Sequence, residues 1–176
     1  DDTQCVSDLA GAESCHLLPN AVNFALPASP HAAAAAEGAT VSLADLQATL
    51  EQHRAAHSDS QLLVEFAGGL LVPFALDPPA TQADWLVSMG AQIVLVARSG
   101  LGTLNHTLLT IEAMRARQLQ PDALFLVGEP HPSNREALGA LTSIASIYEV
   151  PHWPSLSTES LDAWVQGNDL MELLNV

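Results

Sequence analysis

The sequence contains no lysine, and its basic residues are the arginines Arg54, Arg98, Arg115, Arg117 and Arg135. Chemistry that needs an ammonium group against a phosphate or a substrate amine therefore cannot be completed by this chain alone. With 5 basic and 20 acidic residues the net charge is -15. Such a surface repels phosphodiester backbones, so nucleic acid is not an expected partner. No apolar run reaches the roughly 20 residues of a membrane-spanning helix, and no membrane association is expected. Cysteine is scarce: Cys5 and Cys15 do not form the close-spaced pair of a metal or redox site. The expectation is two reduced thiols in a cytoplasmic protein. Asp1 stands where an initiator methionine would, which leads to the expectation of processing or of a longer parent polypeptide.

What is present is apolar material, 48% of 176 residues, enough for one domain with a sizeable core. Its organising stretch is QLLVEFAGGLLVP, Gln61 to Pro73. The apolar run Leu62-Leu63-Val64 reads as a strand buried on both faces, as in parallel sheets. Ligands gather beyond the carboxyl ends of such strands, where Glu65 stands ahead of the pair Gly68-Gly69. A carboxylate capping a neighbouring helix is the plainer alternative for Glu65.

Ahead of this stretch, Val6 and Leu9 are spaced as in a short helix that Asp2 could cap. Asn23 to Pro27 reads as loop. Ser29-Pro30 predicts an N-cap with proline at the first helical position, and an alanine run carries that helix to Gly38. A further helix starts at Ser42, with Leu43, Leu46, Gln47 and Leu50 on one face. His53 and His57 share metal-ligand spacing, but Arg54 lies between them and no acidic or thiol ligand is near, which favours a solvated helix end.

Beyond it, Asp77-Pro78-Pro79 reads as a rigid loop, and Thr81 caps a helix running to Gly90. Ala91 to Ala97 and Ala123 to Val127 read as further buried strands, and Ile147 to Val150 as a short fourth. The second strand feeds Arg98-Ser99-Gly100-Leu101-Gly102-Thr103 and a helix from about Leu104 to Leu119. A glycine-containing loop at a helix start presents free N–H groups, a competent site for a carboxylate. It is not a phosphate loop, because the spacing differs and the lysine is missing. Ser133 to Glu136 reads as a capping box for the next helix. Ser157 or Thr158 caps a last helix, with Leu170 to Leu174 closing the chain. Alternating strands, loops and helices predict an α/β fold, a three-layer parallel sheet with helices on both faces, in a single domain, 1–176.

Several of these pieces resemble dethiobiotin synthases. VEFAGG followed by LLVP is similar to that family's VEGAGG-LLVP strand end. LGTLNHTLLTIEA, Leu101 to Ala113, is closer still to its LG-x-[IL]-NH-x-LLT-x-EA helix start. FALPASPH, the Asp2-Thr3 opening and GEPHPSNREAL match further segments, in the family's order and across essentially the whole chain. The resemblance implies a P-loop NTPase type of fold, here without the family's first strand and lysine-bearing phosphate loop. It implies ATP-dependent ring closure of 7,8-diaminononanoate with CO2, by a carbamate that ATP phosphorylates and the second amine attacks.

Carried over residue by residue, it implies Asp2 and Glu65 as Mg2+ ligands. Asp2, Glu65, Phe66, Ala67, Gly68, Gly128, Pro151, His152 and Trp153 would lie along the nucleotide. Leu101, Gly102, Thr103, Leu104 and Asn105 would bind the substrate carboxylate through backbone N–H groups, in the family across a homodimer interface. Phe66 replaces a usual glycine, and the asparagine that usually reads adenine is replaced around Val127-Gly128. Two expectations follow: a catalytic domain of a longer biotin-pathway polypeptide, or a non-catalytic carboxylate-binding or dimerising module.

Overall fold

A computed structural model describes residues 2–10, 17–168, 170 and 173, and for residues 2–4 the backbone alone. The chain divides into two compact units, one of Leu17–Ala91 and one of Asp1–His16 with Gln92–Val176.

The first unit holds α2 (Pro30–Ala36) and α3 (Leu43–Ala56), a hairpin of β1 (Pro73–Leu76) and β2 (Pro79–Thr81), and α4 (Gln82–Met89); α1 (Asp2–Ala10) belongs to the other unit. The Ser29 side chain makes no capping bond and meets His31 Nδ1 at 3.1 Å instead, so Pro30, with φ preset, starts α2. Ser42 does cap α3, accepting from the Asp45 N–H at 3.1 Å. Its buried Leu46 and Leu50 join Phe74, Ala83, Trp85, Leu86 and Met89 in the unit's apolar interior. Trp85 stacks edge-to-face on Phe74 and donates its indole N–H to Gln47 Oε1 at 3.2 Å. Gly90 ends α4 at φ 58, the left-handed position that glycine takes without strain.

One expectation for this unit is overturned and one is refined. Leu62 to Val64 is not a strand: the stretch has no regular structure, and Leu63 is 89% exposed. A strand needs a hydrogen-bonded neighbour, and among the described residues none pairs with it. The unit's strand pair lies further on: Asp77 and Pro78 make the turn of the expected loop, and Pro79 already opens β2, paired with Leu76 of β1.

The second unit is built on a parallel sheet of β3 (Val94–Arg98), β4 (Ala123–Val127) and β5 (Ser146–Val150), in that order. The helices α5 (Thr103–Arg115), α6 (Pro132–Thr142) and α7 (Thr158–Gly167) follow the three strands in turn. The register pairs Leu95 with Leu124 and Ala97 with Leu126, and Leu124 with Ile147. One sheet face therefore collects Leu124, Leu126 and Ile147 against Ile111, Leu138 and Ile144 of α5, α6 and the turn after it. Each such buried side chain contributes about 1.5–3 kcal/mol. On the other face Phe125 meets Tyr148 (5.1 Å between rings) and Trp164 of α7 (6.0 Å). Trp164 also donates to Glu149 O at 2.9 Å. Helices thus cover both faces, as expected of a three-layer α/β sheet.

Here too the structure differs in detail. β3 begins at Val94 and is not buried on both faces: side chains alternate between the faces, so Leu95 and Ala97 pack on the core while Val94 is 41% and Val96 63% exposed. α5 ends at Arg115, short of Leu119. α6 begins at Pro132 after His131, so Ser133 lies inside the helix and the capping box expected over Ser133 to Glu136 does not form. Ser157 caps α7, accepting from the Ser160 N–H at 3.3 Å. The expectation for Leu170 to Leu174 lies largely outside the described residues.

Candidate functional site

The carboxyl ends of β3, β4 and β5 hold two of the predicted residue groups side by side. The Ser99 N–H donates to Val127 O, and the Gly128 N–H to Val150 O, both at 2.9 Å. These bonds carry the sheet's ladder one step into the loops. They place the segment before Leu101 beside Gly128, and Gly128 beside Pro151. Gly128 has φ 128, and a Cβ there would stand 2.7 Å from Ser99 Oγ. Only glycine fits this contact.

In the Leu101–Asn105 loop, Gly102 takes the N-cap position of α5 at φ 92. The Thr103 N–H donates to Gly100 O and the His106 N–H to Gly102 O, each at 3.1 Å. No acceptor among the described residues meets the N–H groups of Leu101, Gly102, Leu104 or Asn105. They stand at the positive end of a 13-residue helix. The side chains divide the work. Thr103 is buried and hydrogen-bonds Thr107 Oγ1 at 3.3 Å, and Leu104 packs on the core. Leu101 is 97% exposed. A cleft of about 190 Å³ runs along β3 and α5, lined by Val96, Arg98, Thr103, His106 and Thr110 among others. The loop is anchored by a residue sequence reasoning assigned to a cap: Asn134 Nδ2 donates to Ser99 O at 2.9 Å.

Of the residues expected along a nucleotide, His152 is exposed, and Trp153 meets Trp164 edge-to-face at 6.4 Å. Trp153 thus joins the aromatic layer that seats α7. Glu149, just before this segment, was not singled out from the sequence. Its Oε1 is buried without a partner, while Oε2 lies 4.0 Å from Arg135 Nε.

Glu65, Phe66, Ala67 and Gly68 belong to the other unit. Glu65 is exposed, with no ion pair or hydrogen bond to a described residue. The helix-cap alternative is not realised, because Asp84 and Thr81 form the capping box of α4. Phe66 stacks edge-to-face on Trp85 at 5.3 Å, and Gly68 turns the chain at φ 87. The Asp2 side chain lies outside the described residues. Among those described, no group of three or more His, Cys, Asp or Glu gathers as a metal cage, and His53 instead contacts Pro19 O at 3.2 Å. A free, exposed carboxylate fits Mg2+ all the same, since that ion is held by one or two carboxylates completed by water and phosphate oxygens.

A family model described as an AAA domain matches residues 1–160. An ATP-dependent dethiobiotin synthetase of Rhodopseudomonas palustris (strain BisA53) is 40% identical over 162 residues, 92% of this chain and 72% of the relative. The chain belongs to the dethiobiotin synthetase family. A family member from Agrobacterium fabrum is 33% identical over 99% of this chain and 79% of its own length. In Bordetella avium the match, 35% identical over 93% of this chain, covers 33% of a bifunctional biotin biosynthesis protein. The fold is accordingly the α/β, P-loop NTPase type. In this chain LGTLN is the loop at α5 whose N–H groups meet no described acceptor, and VEFAGG is the stretch in which Glu65 meets no described partner.

Proposed function

We propose that this chain carries out the ATP-dependent closure of 7,8-diaminononanoate with CO2 to dethiobiotin, in biotin biosynthesis. The carrying observation is the LGTLN loop: a family motif whose open N–H groups, at the start of α5, suit the carboxylate of an amino acid. In this reading Leu101 to Asn105 hold the substrate's tail by backbone donors. Holding the tail fixes the distance of the two amines from the reacting carbon, the main service a protein performs in phosphoryl transfer. One amine adds to CO2 to give a carbamate, a carbamate oxygen takes the terminal phosphoryl group, and attack by the second amine expels phosphate. ATP supplies the phosphoryl group, and Mg2+ supplies neutralising charge. Glu65, with Asp2, would hold the ion, while Phe66 to Gly68, Gly128 and Pro151 to Trp153 would line the nucleotide.

The proposal includes a cytoplasmic homodimer and one functional domain made of both compact units, supported by the continuous family match over residues 1–160. It also includes a longer polypeptide that supplies lysines to the phosphates, since this chain has none. The same absence favours the second reading, a carboxylate-binding or dimerising module without catalysis. Genetic complementation separates them: the gene's full product should restore growth without biotin to a bacterium lacking its own dethiobiotin synthetase. Growth restored by added dethiobiotin but not by the gene would favour the second reading.

A further inference from the structure

The loop behind Glu65 has no strand to fix it, yet it is held in one conformation by the first turn of α4. The Gln82 N–H donates to Val72 O at 3.0 Å and the Ala83 N–H to Leu70 O at 2.9 Å, and within the loop the Val72 N–H reaches Gly69 O at 2.9 Å. These bonds account for helix-start donors that have no intrahelical partner. One side chain meets a further loop carbonyl, that of Ala67, and shares that of Gly69 with the Val72 N–H. Gln82 is 1% exposed, and its Nε2 donates to Ala67 O at 2.5 Å and to Gly69 O at 3.3 Å. Its Oε1 is buried and meets no partner among the described residues.

A buried amide with an unmet acceptor is destabilising compared with an apolar side chain of the same shape. Methionine or leucine would fill this space without that loss. The feature an apolar residue cannot supply is the pair of N–H donors, and both act on the segment two to four residues after Glu65. We propose that Gln82 is a positioning residue for Glu65. Through the carbonyls of Ala67 and Gly69 it sets the turn at Gly68, and with the Phe66 ring against Trp85 it fixes where the carboxylate stands. The inference rests on the functional reading of Glu65 given above, and adds to it the residue that holds that carboxylate in place.

The test compares Gln82→Met, which keeps the shape and removes both donors, with Leu86→Ala, which loosens the buried face of α4 without touching the loop. Both are made in the full-length enzyme and compared at matched margins below their Tm. A second donor-free variant, Gln82→Leu, covers the case in which methionine fails to fold. Hydrogen exchange of the Val72 and Ala83 amides, whose N–H groups are bonded to the loop's carbonyls, and steady-state kinetics are read together. Loss of the donors should speed exchange at these amides by at least about 10-fold. It should also lower kcat about 10-fold with KM for the diamino acid unchanged, since the carboxylate loop is a separate structure. Leu86→Ala should do neither at matched stability.

Exchange unchanged by Gln82→Met, or a kinetic loss no larger than that of Leu86→Ala, would overturn the proposal. A wild-type enzyme that exchanges as described but forms no dethiobiotin would instead count against the functional reading. The exchange comparison would then decide the clamp by itself.

Discussion

Glu65 and Gly128 place opposite demands on substitution. Glu65 is exposed and bonded to nothing described, so Glu65→Gln should leave Tm within about 1 °C, as for surface changes generally. In the full-length enzyme the same change should lower Mg2+-dependent turnover by on the order of 100-fold while ATP affinity changes little. Equal losses in both would remove the metal-ligand role. Gly128→Ala should cost about 1–3 kcal/mol, from its φ of 128 and the approach to Ser99 Oγ, measured by urea unfolding. At the start of α7, Glu159 is held below the ordinary carboxylate range by its backbone hydrogen bond first and the Ser157 side chain second. A lowered folded-state value stabilises above the unfolded value and is lost as pH falls through the folded one. The Tm gap between wild type and Glu159→Gln should therefore be present at neutral pH and close on acidification. A gap that widens in acid would contradict this. Among single residues, Glu65 and the LGTLN loop were legible because motif and glycine placement announce them. Gln82 and Asn134 were not, because their partners are carbonyls far along the chain, a relation that spacing does not encode. The one trace of Gln82 is that it falls in step with Trp85, Leu86 and Met89 on the buried side of α4.

At the scale of elements, β4 was readable to the residue, and so were the helix starts at Ser42, at Thr81 and at Ser157 or Thr158, because cap bonds are local; the caps expected of Ser29 and Ser133 do not form, and prolines open both of those helices. Leu62 to Val64 misled because an apolar run signals burial only when a neighbouring strand completes it, and pairing is not a local property. The hairpin of β1 and β2 was hidden by its prolines, which read as loop but tolerate edge positions. Within the sheet, the face occupied by Leu124, Leu126 and Ile147 is the better packed one. Leu126→Ala should cost about 2–5 kcal/mol by denaturant unfolding, more than the change Val96→Ala on the open edge. Equal costs would mean that β3 is covered in solution.

For the molecule as a whole, two features set its behaviour outside the site. A net charge of -15 predicts self-repulsion that salt relieves, so Tm should rise between about 0.01 and 0.15 M ionic strength. Among the described residues no strand pairs with the outer side of β3, and Val94 and Val96 on its face are exposed; together these predict self-association of this chain, which Val96→Lys should reduce in sedimentation velocity. A monodisperse, monomeric wild-type chain would contradict that expectation. Fold class was legible at this scale because strand, loop and helix alternate. The division into two units was not, because no change of composition marks it.

The most direct measurement is mass-spectrometric detection of product from 7,8-diaminononanoate, bicarbonate and MgATP, using the gene's full product. The account predicts dethiobiotin and ADP in equal amounts, with ¹³C from bicarbonate at the ureido carbon. No product, with the diamino acid still bound, would contradict it and leave a carboxylate-binding module.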